Sequence, residues 1–368
     1  MSLALIYSAA LAYSSISIRL KIFLRMNGLG AEEYHMWIIG LGVVGLLLGW
    51  YLWELQHRQT RAMSGGLHPD ISLPHEQEWE LYHNDFSLCS KKTRVCLAEL
   101  GIPYKAHHID LIETGSYETL SRNFLKVNPA AILPVLIHNG NPIYESHDQL
   151  EYAAAHSANP NLLVPTDPGK RELMEHWVHK SSIFGDNPLD AIDESAGNAV
   201  PGLTTPIFAA MVKHIPTRRI FTGLLFHRLK IRAVFFLALK LFGLKNLPKM
   251  KPIIKLLRAS KKAMHTHLDE LEAALAKTGG PWITGEQFTL ADVGTMVIFE
   301  RLREGDFLSE FLVEDRPRVN AYWQAQKARP SYMAGVANHT HPRVTRGTKE
   351  IVDLKNTNPL FRSAMGTP

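Results

Sequence analysis

An uncharged stretch near the start of the chain, residues 36–53, constrains the fold more than any other feature. MWIIGLGVVGLLLGWYLW contains eighteen residues and no charge. A helix of this length spans roughly 27 Å, close to the hydrocarbon thickness of a bilayer. Trp37 and Trp53 lie near its two ends, as in the aromatic belts of membrane interfaces. The pattern predicts a transmembrane helix over 36–53, within a membrane anchor of residues 1–56.

Two other interpretations of residues 36–53 are a buried core helix and a cleaved signal peptide. The late start and the missing small-residue cleavage site argue against a signal peptide. A second uncharged stretch, residues 3–18, is compatible with a second span, an interfacial helix or a leader. Lysine and arginine counts on the two sides of the main span are nearly balanced, so the positive-inside rule gives no orientation.

Beyond the anchor, polar residues 57–78 contain Gly-Gly and two prolines, the composition of a linker. Residues 79–156 then predict a strand (WELYH), a helix that stops at Gly101, a second strand (KAHHIDL) and a second helix (SYETLSRNFLKVN). LPVLIHNGNPIYES predicts a hairpin, and SHDQLEYAAAH a helix with Ser146 as its N-cap. The order is that of a thioredoxin-like domain, in which a proline before the third strand, here Pro134, is cis.

Residues 165–335 have helical periodicity. Within them, Thr289 and Asp292 form a capping pair before an apolar run. Residues 186–262 form a long basic insertion. Residues 336–368 are polar without clear periodicity, which predicts a tail that either wraps the surface or is disordered.

The chain contains only two cysteines, Cys89 and Cys96, so a disulfide framework is excluded and a reducing compartment is favoured. Cys89 lies in DFSLCSKKTR, just where a helix is predicted to begin. The free N–H groups of a helix start favour a thiolate, so Cys89 is a candidate working sulfur. The alternative is a small apolar residue beside the helix start. Cys96 lies among apolar residues and is predicted to belong to the core.

The cations after this thiol, Lys91, Lys92 and Arg94, have two interpretations: a positive field for the site or solvated surface charge. Histidine pairs at 107–108, 265–267 and 339–341 have no carboxylate or thiolate partner at a recognisable spacing. We therefore predict no metal. The sequence also contains no Gly-rich phosphate loop and no nucleic-acid motif, so no nucleic-acid partner is expected.

Charge is segregated within the insertion. Residues 195–268 contain fourteen lysines and arginines and no acidic residue. Apolar clusters between regularly spaced cations are typical of a helix lying on anionic headgroups, so a lipid bilayer is an expected partner. The alternative is a helical insertion packed on the domain with a solvated basic face.

Four features in this order, SLCSKKTR, NPAAILPVL, YES and WITGEQFTLADV, resemble the glutathione S-transferase superfamily over residues 79–333. The resemblance implies an α/β plus all-α fold: a thioredoxin-like N-terminal domain and a helical C-terminal domain. Ser-x-Cys-Ser-x-Lys-x-Arg is similar to the loop of glutathione-dependent hydroquinone dehalogenases, and related loops occur in the zeta and beta classes and in some ether-cleaving enzymes. The long insertion is similar to that of ganglioside-induced differentiation-associated proteins. Their anchor is C-terminal, so their biology is not transferred.

The resemblance also assigns roles at the site. Ser87 would assist the thiolate of glutathione, and Cys89 would attack directly or accept the glutathionyl group as a mixed disulfide. The backbone of Leu133, next to Pro134, would pair with the cysteinyl main chain of glutathione. The γ-glutamyl ammonium and carboxylate would be held by two further residues, Glu145 and Ser146.

One departure concerns affinity. Many relatives have glycine and lysine where this chain has Ala131 and Ile132, so the usual lysine contact to the glycine carboxylate of glutathione is absent.

The expected function is that of a membrane-anchored glutathione transferase-like enzyme with glutathione as co-substrate. It would conjugate or remove glutathione on an apolar, aromatic or halogenated electrophile. The soluble part is expected on the cytoplasmic side, where glutathione is abundant. The alternative is a non-catalytic scaffold or accessory subunit of a membrane complex. Many relatives dimerise, so a homodimer is a further expectation. A membrane-complex partner is the alternative.

Overall fold

The structure, a computed structural model, describes residues 31–58, 60–185 and 187–366. The predicted segment 3–18 lies outside the described residues. The chain divides into two compact units, Met1–Arg58 and Gln59–Pro368.

The described part of the first unit is one helix, α1 (Ala31–His57). It contains the predicted segment 36–53, and the apolar side chains of that segment are exposed or half-exposed to solvent. The stretch His35–His57 is long and apolar enough to cross a membrane by length and composition. The helix is therefore confirmed, and its relation to a bilayer is taken up under Proposed function.

The second unit begins with a five-stranded sheet. Its strands lie in the order β1-β5-β4-β2-β3, and only β2 and β3 are parallel. The strands are β1 (Gly66–Leu67), β2 (Trp79–His83), β3 (Lys105–His108), β4 (Val135–His138) and β5 (Asn141–Tyr144). Leu81 pairs with Ala106 on one side and Leu136 on the other, so β2 lies in the sheet interior. The thioredoxin-like topology is confirmed.

The segment 57–78 departs from its prediction as a linker. Residues 66–67 form β1, which pairs antiparallel with β5. Leu73 donates its N–H to the carbonyl of Gly140 at 2.8 Å, and Met63 and Ile71 pack with Leu73 against a small apolar cluster. An edge strand exposes unpaired N–H and C=O groups, and this segment satisfies some of them. It is part of the sheet domain rather than a free connection.

Three helices complete the sheet domain. They are α2 (Leu88–Leu100), α3 (Arg122–Val127) and α4 (Ser146–Ala155). Helix α2 ends at Gly101, whose φ of 65° is left-handed, as the sequence predicts. The second predicted helix is interrupted, because a 3-10 turn at Glu118–Leu120 precedes α3.

The helical part of the chain packs around α10, whose side chains are almost all buried. Its helices are α5 (Pro168–Ser181), α6 (Ala196–Val212), α7 (Thr217–Phe226), α8 (Lys230–Phe242), α9 (Lys251–Thr278), α10 (Leu290–Glu304), α11 (Leu308–Phe311), α12 (Pro317–Lys327), α13 (Pro330–Gly335), α14 (Pro342–Thr357) and α15 (Pro359–Met365).

The predicted capping pair opens α10. Thr289 donates its N–H to Oδ2 of Asp292 at 2.8 Å, and the reciprocal bond of the capping box is also present. Oδ1 of Asp292 accepts from the Tyr322 hydroxyl at 2.7 Å. Burial raises the pKa of Asp292 to about 6, against the lowering effect of these hydrogen bonds. The local sequence signal is confirmed.

The predicted insertion, 186–262, is not a separate appendage. Helix α6 within it is buried along nearly its whole length. Helix α9 runs without a break across the predicted boundary at 262. The exposed residues of the insertion lie on α7, α8 and the N-terminal half of α9, and in the connecting segments 187–194, 213–216, 227–229 and 245–249.

Within the described residues of the polar segment 336–368, the chain forms two helices, α14 and α15. Val344, Ile351 and Phe361 are buried in the main core. Lys261 on α9 donates to the carbonyl of Met365 at 2.8 Å. Of the two predicted alternatives, a surface-wrapping tail is the one observed, and it is helical. Sparse apolar residues at helical spacing are enough when the opposing surface is already formed.

Adjacent residues on α15 give a matched test of this packing. Phe361 is 0% exposed and Leu360 is 72% exposed. Phe361→Ala should lower the free energy of unfolding by about 3–5 kcal/mol because it leaves a cavity. Leu360→Ala should change it by less than about 0.5 kcal/mol. Urea unfolding followed by tryptophan fluorescence measures both, and equal effects would contradict the packing of α15.

Candidate active site

The predicted thiol lies at the start of α2. Ser87 is the N-cap, with extended backbone, and its Oγ accepts the N–H of Ser90 at 3.2 Å. Cys89 is the second residue of the helix and is partly exposed. The helix N-terminus presents partial positive charge at this position, which favours an anion.

A buried asparagine shapes the loop that leads into α2. The side chain of Asn84 donates to the carbonyl of Ile109 at 2.9 Å and accepts the N–H of Phe86 at 2.9 Å. Its backbone N–H donates to Oγ of Ser90 at 3.2 Å. Asn84 thereby fixes the turn before the thiol. Sequence reasoning missed it, although an asparagine just before a helix start is a turn signal.

The predicted cis-proline is present, since the Leu133–Pro134 bond is cis. A second residue missed from the sequence, Gln149 on α4, holds this segment. Its Nε2 donates to the carbonyl of Pro134 at 3.0 Å, and its Oε1 accepts the hydroxyl of Thr93 on α2 at 2.9 Å. One amide therefore couples the proline loop to the helix that carries the thiol.

The start of α4 differs from the prediction. Glu145 occupies the N-cap position with φ 60° and ψ 128°, and Ser146 is the first residue of the helix. The Ser146 N-cap prediction is wrong, because the chain turns into the helix one residue earlier, at a positive φ. Both residues lie next to the free N–H groups of the helix start. Ser146 is buried and Glu145 is exposed.

A cavity of about 350 Å³, including its open mouth, brings most of the predicted residues together. Cys89 lines it together with Leu133, Pro134, Glu145 and Ser146. The remaining lining residues are Met63, Asn128, Ala130, Ile132 and Tyr144. Ser87, the N-cap residue two positions before Cys89, does not line the cavity.

Of the two positions that depart from the family pattern, Ile132 lines this cavity and Ala131 precedes it in the chain. Ala131 is buried and has φ 58°, a left-handed conformation that glycine adopts with less strain. Ile132 is 43% exposed on the cavity wall. The cavity therefore presents a hydrocarbon side chain where the family pattern has a lysine.

The three cations of α2 are buried, so their interpretation as solvated surface charge is wrong. Lys91 forms an ion pair with Glu304. Lys92 donates to the carbonyl of Ser181 at 2.6 Å. Arg94 donates to the carbonyls of Gly335 at 2.8 Å and Asn84 at 3.1 Å. Each cation has a partner far along the chain, 213 positions away for Lys91, 89 for Lys92 and 241 for Arg94, which is why the sequence gives no sign of this burial.

The second cysteine belongs to the core, as predicted. Cys96 is fully buried in α2. Burial raises the pKa of its thiol well above the ordinary value. Cys96 is therefore chemically inert compared with a partly exposed thiol.

A histidine–aspartate cluster lies at the ends of β2 and β3. Asp85 accepts from Nδ1 of His339 at 3.2 Å and lies 3.6 Å from Nε2 of His108. Burial opposes a charge on Asp85, but the hydrogen bonds from these two histidines hold its pKa well below the usual range. The structure thus gives His339 a carboxylate partner that the sequence spacing did not reveal.

This cluster has the ligand types of a metal site, since His83, Asp85 and His339 offer atoms within 4.8 Å of one another. The guanidinium of Arg94, however, donates to Nδ1 of His83 at 3.0 Å. That bond occupies the imidazole lone pair, and the guanidinium would repel a cation. This donor set fits a hydrogen-bonded contact that ties His339 to Asp85, just after the end of β2.

The comparisons with known proteins agree with the fold. The model for the glutathione S-transferase N-terminal domain matches residues 86–156, and that for the C-terminal domain matches residues 255–325. Glutathione S-transferase TCHQD of Arabidopsis thaliana is 28% identical over 258 residues, covering 69% of this chain and 87% of the relative. Tetrachloro-p-hydroquinone reductive dehalogenase of Sphingobium chlorophenolicum is 22% identical over 256 residues, covering 69% and 94%.

Solved structures give the same architecture. The β-etherase LigF from Sphingobium sp. strain SYK-6 has a TM-score of 0.56 at 20% identity, covering 70% of this chain and 98% of that one. A glutathione S-transferase-I bound with lactoylglutathione has a TM-score of 0.50 at 18% identity, covering 71% and 99%. At these identities the likeness concerns the fold alone.

The chain combines a thioredoxin-like sheet, a cis-proline beside a thiol at a helix start, and an attached helical domain. This combination defines a class of two-domain proteins that bind thiol compounds. Within that class, the chain belongs to the glutathione S-transferase superfamily. Its relatives support a glutathione transferase type of enzyme, as the sequence resemblance implies.

The His83–Arg94 contact predicts a pH dependence of stability. Burial, and then the charge of Arg94, lower the pKa of His83 to about 3. The unfolded chain therefore binds more protons below about pH 6.5, and stability falls as the pH falls toward 3. Between pH 7 and 5, His83 should account for a loss of about 2 kcal/mol in unfolding free energy.

Urea unfolding of wild type and His83→Gln at the two pH values checks this, because the variant should lack that part of the loss. His147→Gln, at a half-exposed site, should keep the wild-type dependence. An unchanged dependence in His83→Gln would exclude the buried neutral imidazole.

Proposed function

We propose that the chain is a membrane-anchored glutathione transferase in which Cys89 is the working sulfur. The observation that carries this proposal is the shared cavity of Cys89, the cis-proline segment and the start of α4. It combines a partly exposed thiol at a helix N-terminus with a free backbone edge and a second helix N-terminus, which are the groups that a γ-glutamyl tripeptide needs.

Glutathione would lie along this cavity as an extended peptide. The backbone of Leu133 would pair with its cysteinyl main chain, and Glu145 and Ser146 would hold the γ-glutamyl ammonium and carboxylate. Ile132 lies where a lysine would otherwise meet the glycine carboxylate. A charge-assisted contact is worth about 1.5–3 kcal/mol, so binding is expected to be weaker than in relatives with that lysine.

The proposed substrate is an apolar electrophile, with a halogenated aromatic as the first candidate. Support comes from Met63 and Ile132, which give the cavity an apolar rim. Support comes also from the dehalogenase relative, which is named for its action on tetrachloro-p-hydroquinone. At 22% identity, the substrate class of that relative is a guide for assays.

The proposed reaction has three displacements. The thiolate of glutathione attacks the substrate carbon, forms a C–S bond and displaces halide. The Cys89 thiolate attacks the sulfur of that conjugate, and the C–S electron pair stays on carbon, which takes a proton. A second glutathione thiolate then attacks the mixed disulfide, which regenerates Cys89 and releases glutathione disulfide. Two glutathione molecules thus supply the two electrons that replace halide by hydrogen.

Substitutions at the two candidate residues test this assignment. Cys89→Ser should abolish the protein–glutathione mixed disulfide seen by intact mass spectrometry and should block release of the dehalogenated product. Ser87→Ala should keep the mixed disulfide and lose about 1 kcal/mol of stability, because Ser87 caps α2.

Turnover of a chlorinated hydroquinone and retention on immobilised glutathione give the controls. If only Ser87→Ala abolished turnover, Cys89 would not be the nucleophile. If the full-length wild type neither bound glutathione nor turned over, the enzyme proposal would fail and a scaffold role would replace it.

We further propose that α1 spans a bilayer, with the soluble part on the cytoplasmic side, and that α7 and α8 contact the lipid surface. The support for the lipid contact is an exposed apolar set on these two helices, comprising Phe221, Leu225, Ile231, Val234, Leu241 and Phe242. Exposed lysines and arginines flank it at Arg218, Lys230, Lys245 and Lys249. With no acidic residue in 195–268, this face is complementary to anionic headgroups.

A dye at the proposed lipid-facing position tests this contact in the full chain. Leu241→Cys in the Cys89→Ser background, labelled with an environment-sensitive fluorophore, should shift to shorter emission wavelength in vesicles with anionic lipid. The shift should shrink in neutral vesicles or at high salt. Leu360→Cys, an equally exposed apolar position on α15, should show none. Equal spectra for the two positions would exclude α8 as the lipid-facing element.

A further inference from the structure

Two neighbouring lysines on α2 are equally buried but differently paired. Lys91 is 1% exposed and Lys92 is 2% exposed. Lys91 has the carboxylate of Glu304 as its partner. Lys92 donates only to a neutral carbonyl, that of Ser181. Among the residues that the structure describes, no carboxylate lies within 4.0 Å of the Lys92 ammonium.

An ammonium buried without a counter-charge is costly. Burial lowers the pKa of Lys92 to about 8, while negative charge on Cys89 acts in the opposite direction. Cys89 lies three residues before Lys92 on the same helix, a spacing at which side chains are neighbours. Within the described part of the chain, Cys89 is the group whose negative charge acts on Lys92.

We propose that Lys92 is the residue that stabilises the Cys89 thiolate. Its burial against the helical domain holds the ammonium in place for this role. This rests on the proposed function, in which Cys89 reacts as a thiolate. Lys92 lies behind the sulfur and is a positioning residue: it sets the charge state of Cys89 without contacting the substrate.

The helical domain holds this ammonium at a suitable acceptor. Ser181 is the last residue of α5, so its carbonyl lies at the negative end of that helix, where a cation is favoured. The close packing depends on Gly294 of α10, where a Cβ would lie 2.0 Å from Oγ of Ser181. The charge behind Cys89 is thus supplied through contacts between the two parts of the fold.

A second buried cation, Arg301, contributes less. Its guanidinium donates to the carbonyl of Phe86 in the loop before Cys89 and lies over the Phe86 ring at 3.8 Å. Its Nε is 2.9 Å from Oε2 of Glu304, which neutralises much of its charge. This contrast with Lys92 makes Lys92 the residue to test.

The test is the pH profile of Cys89 alkylation by iodoacetamide, measured by intact mass in the full-length protein without glutathione. Cys96 is buried, so Cys89 is the reacting thiol. Lys92→Met should slow alkylation about tenfold at pH 7. Lys92→Arg should restore most of the rate. Lys180→Met, which removes a cation paired with Glu270 near the surface, should leave the profile unchanged.

Thermal unfolding separates this role from a structural one. Because the folded pKa of Lys92 is about 8, below its unfolded value, the unfolded chain binds more protons between about pH 8 and 10.5. Stability should rise across that window in wild type and not in Lys92→Met, whose Tm at pH 7 should not fall. A lower Tm together with an unchanged alkylation profile would overturn the proposal. If Lys92→Met slowed Cys89 alkylation but the wild type never turned over substrate, the role of Lys92 would stand and the proposed function would fail.

Discussion

The burial of the charged face of α2 is the constraint on which the site depends. This helix carries Cys89 at its start, yet the residues that follow, Lys91, Lys92 and Arg94, point into the protein rather than into water. Each ion must recover its hydration energy from fixed partners, and those partners lie on α5, α10 and the end of α13. The thiol is therefore held by the helical domain as much as by the sheet.

The same arrangement explains why the C-terminal segment is ordered. Arg94 donates to the carbonyl of Gly335, and four residues later His339 meets Asp85 beside the sheet. A Cβ at residue 335 would lie 2.7 Å from the backbone nitrogen of Val95, so only glycine allows this close approach. From there α14 and α15 continue across the helical core. A segment with the composition of a tail thus follows a path that is fixed at its first step by contacts to α2.

The predictions that the structure confirms rest on local signals. Gly101 ends its helix, Pro134 is cis, and Thr289 with Asp292 caps α10, because each of these depends on residues within a few positions. The four ordered motifs were enough to establish the family and the two-part fold.

What the sequence could not provide depends on distant partners. Nothing around Lys92 indicates that Ser181, 89 residues away, would supply its acceptor. The pairing of residues 66–67 with β5 involves a segment whose composition indicates only a linker. Asn84 and Gln149 position the site through buried amides, and an isolated polar residue in a sequence does not show whether it is buried. The candidate residues could thus be named from the sequence, but the groups that orient them could not.

The contact between Arg94 and Gly335 has a consequence for the synthesis of the protein. The two residues are 241 positions apart, and a ribosome adds about 5–20 residues per second. The helix that carries the thiol therefore leaves the exit tunnel roughly ten to fifty seconds before the carbonyl that receives its guanidinium. During that time the partners of the three cations are made one after another: Ser181 comes 89 positions after Lys92, Glu304 comes 213 positions after Lys91, and Gly335 comes last. The Cys89 sulfur reaches its finished environment only when about nine-tenths of the chain has been made.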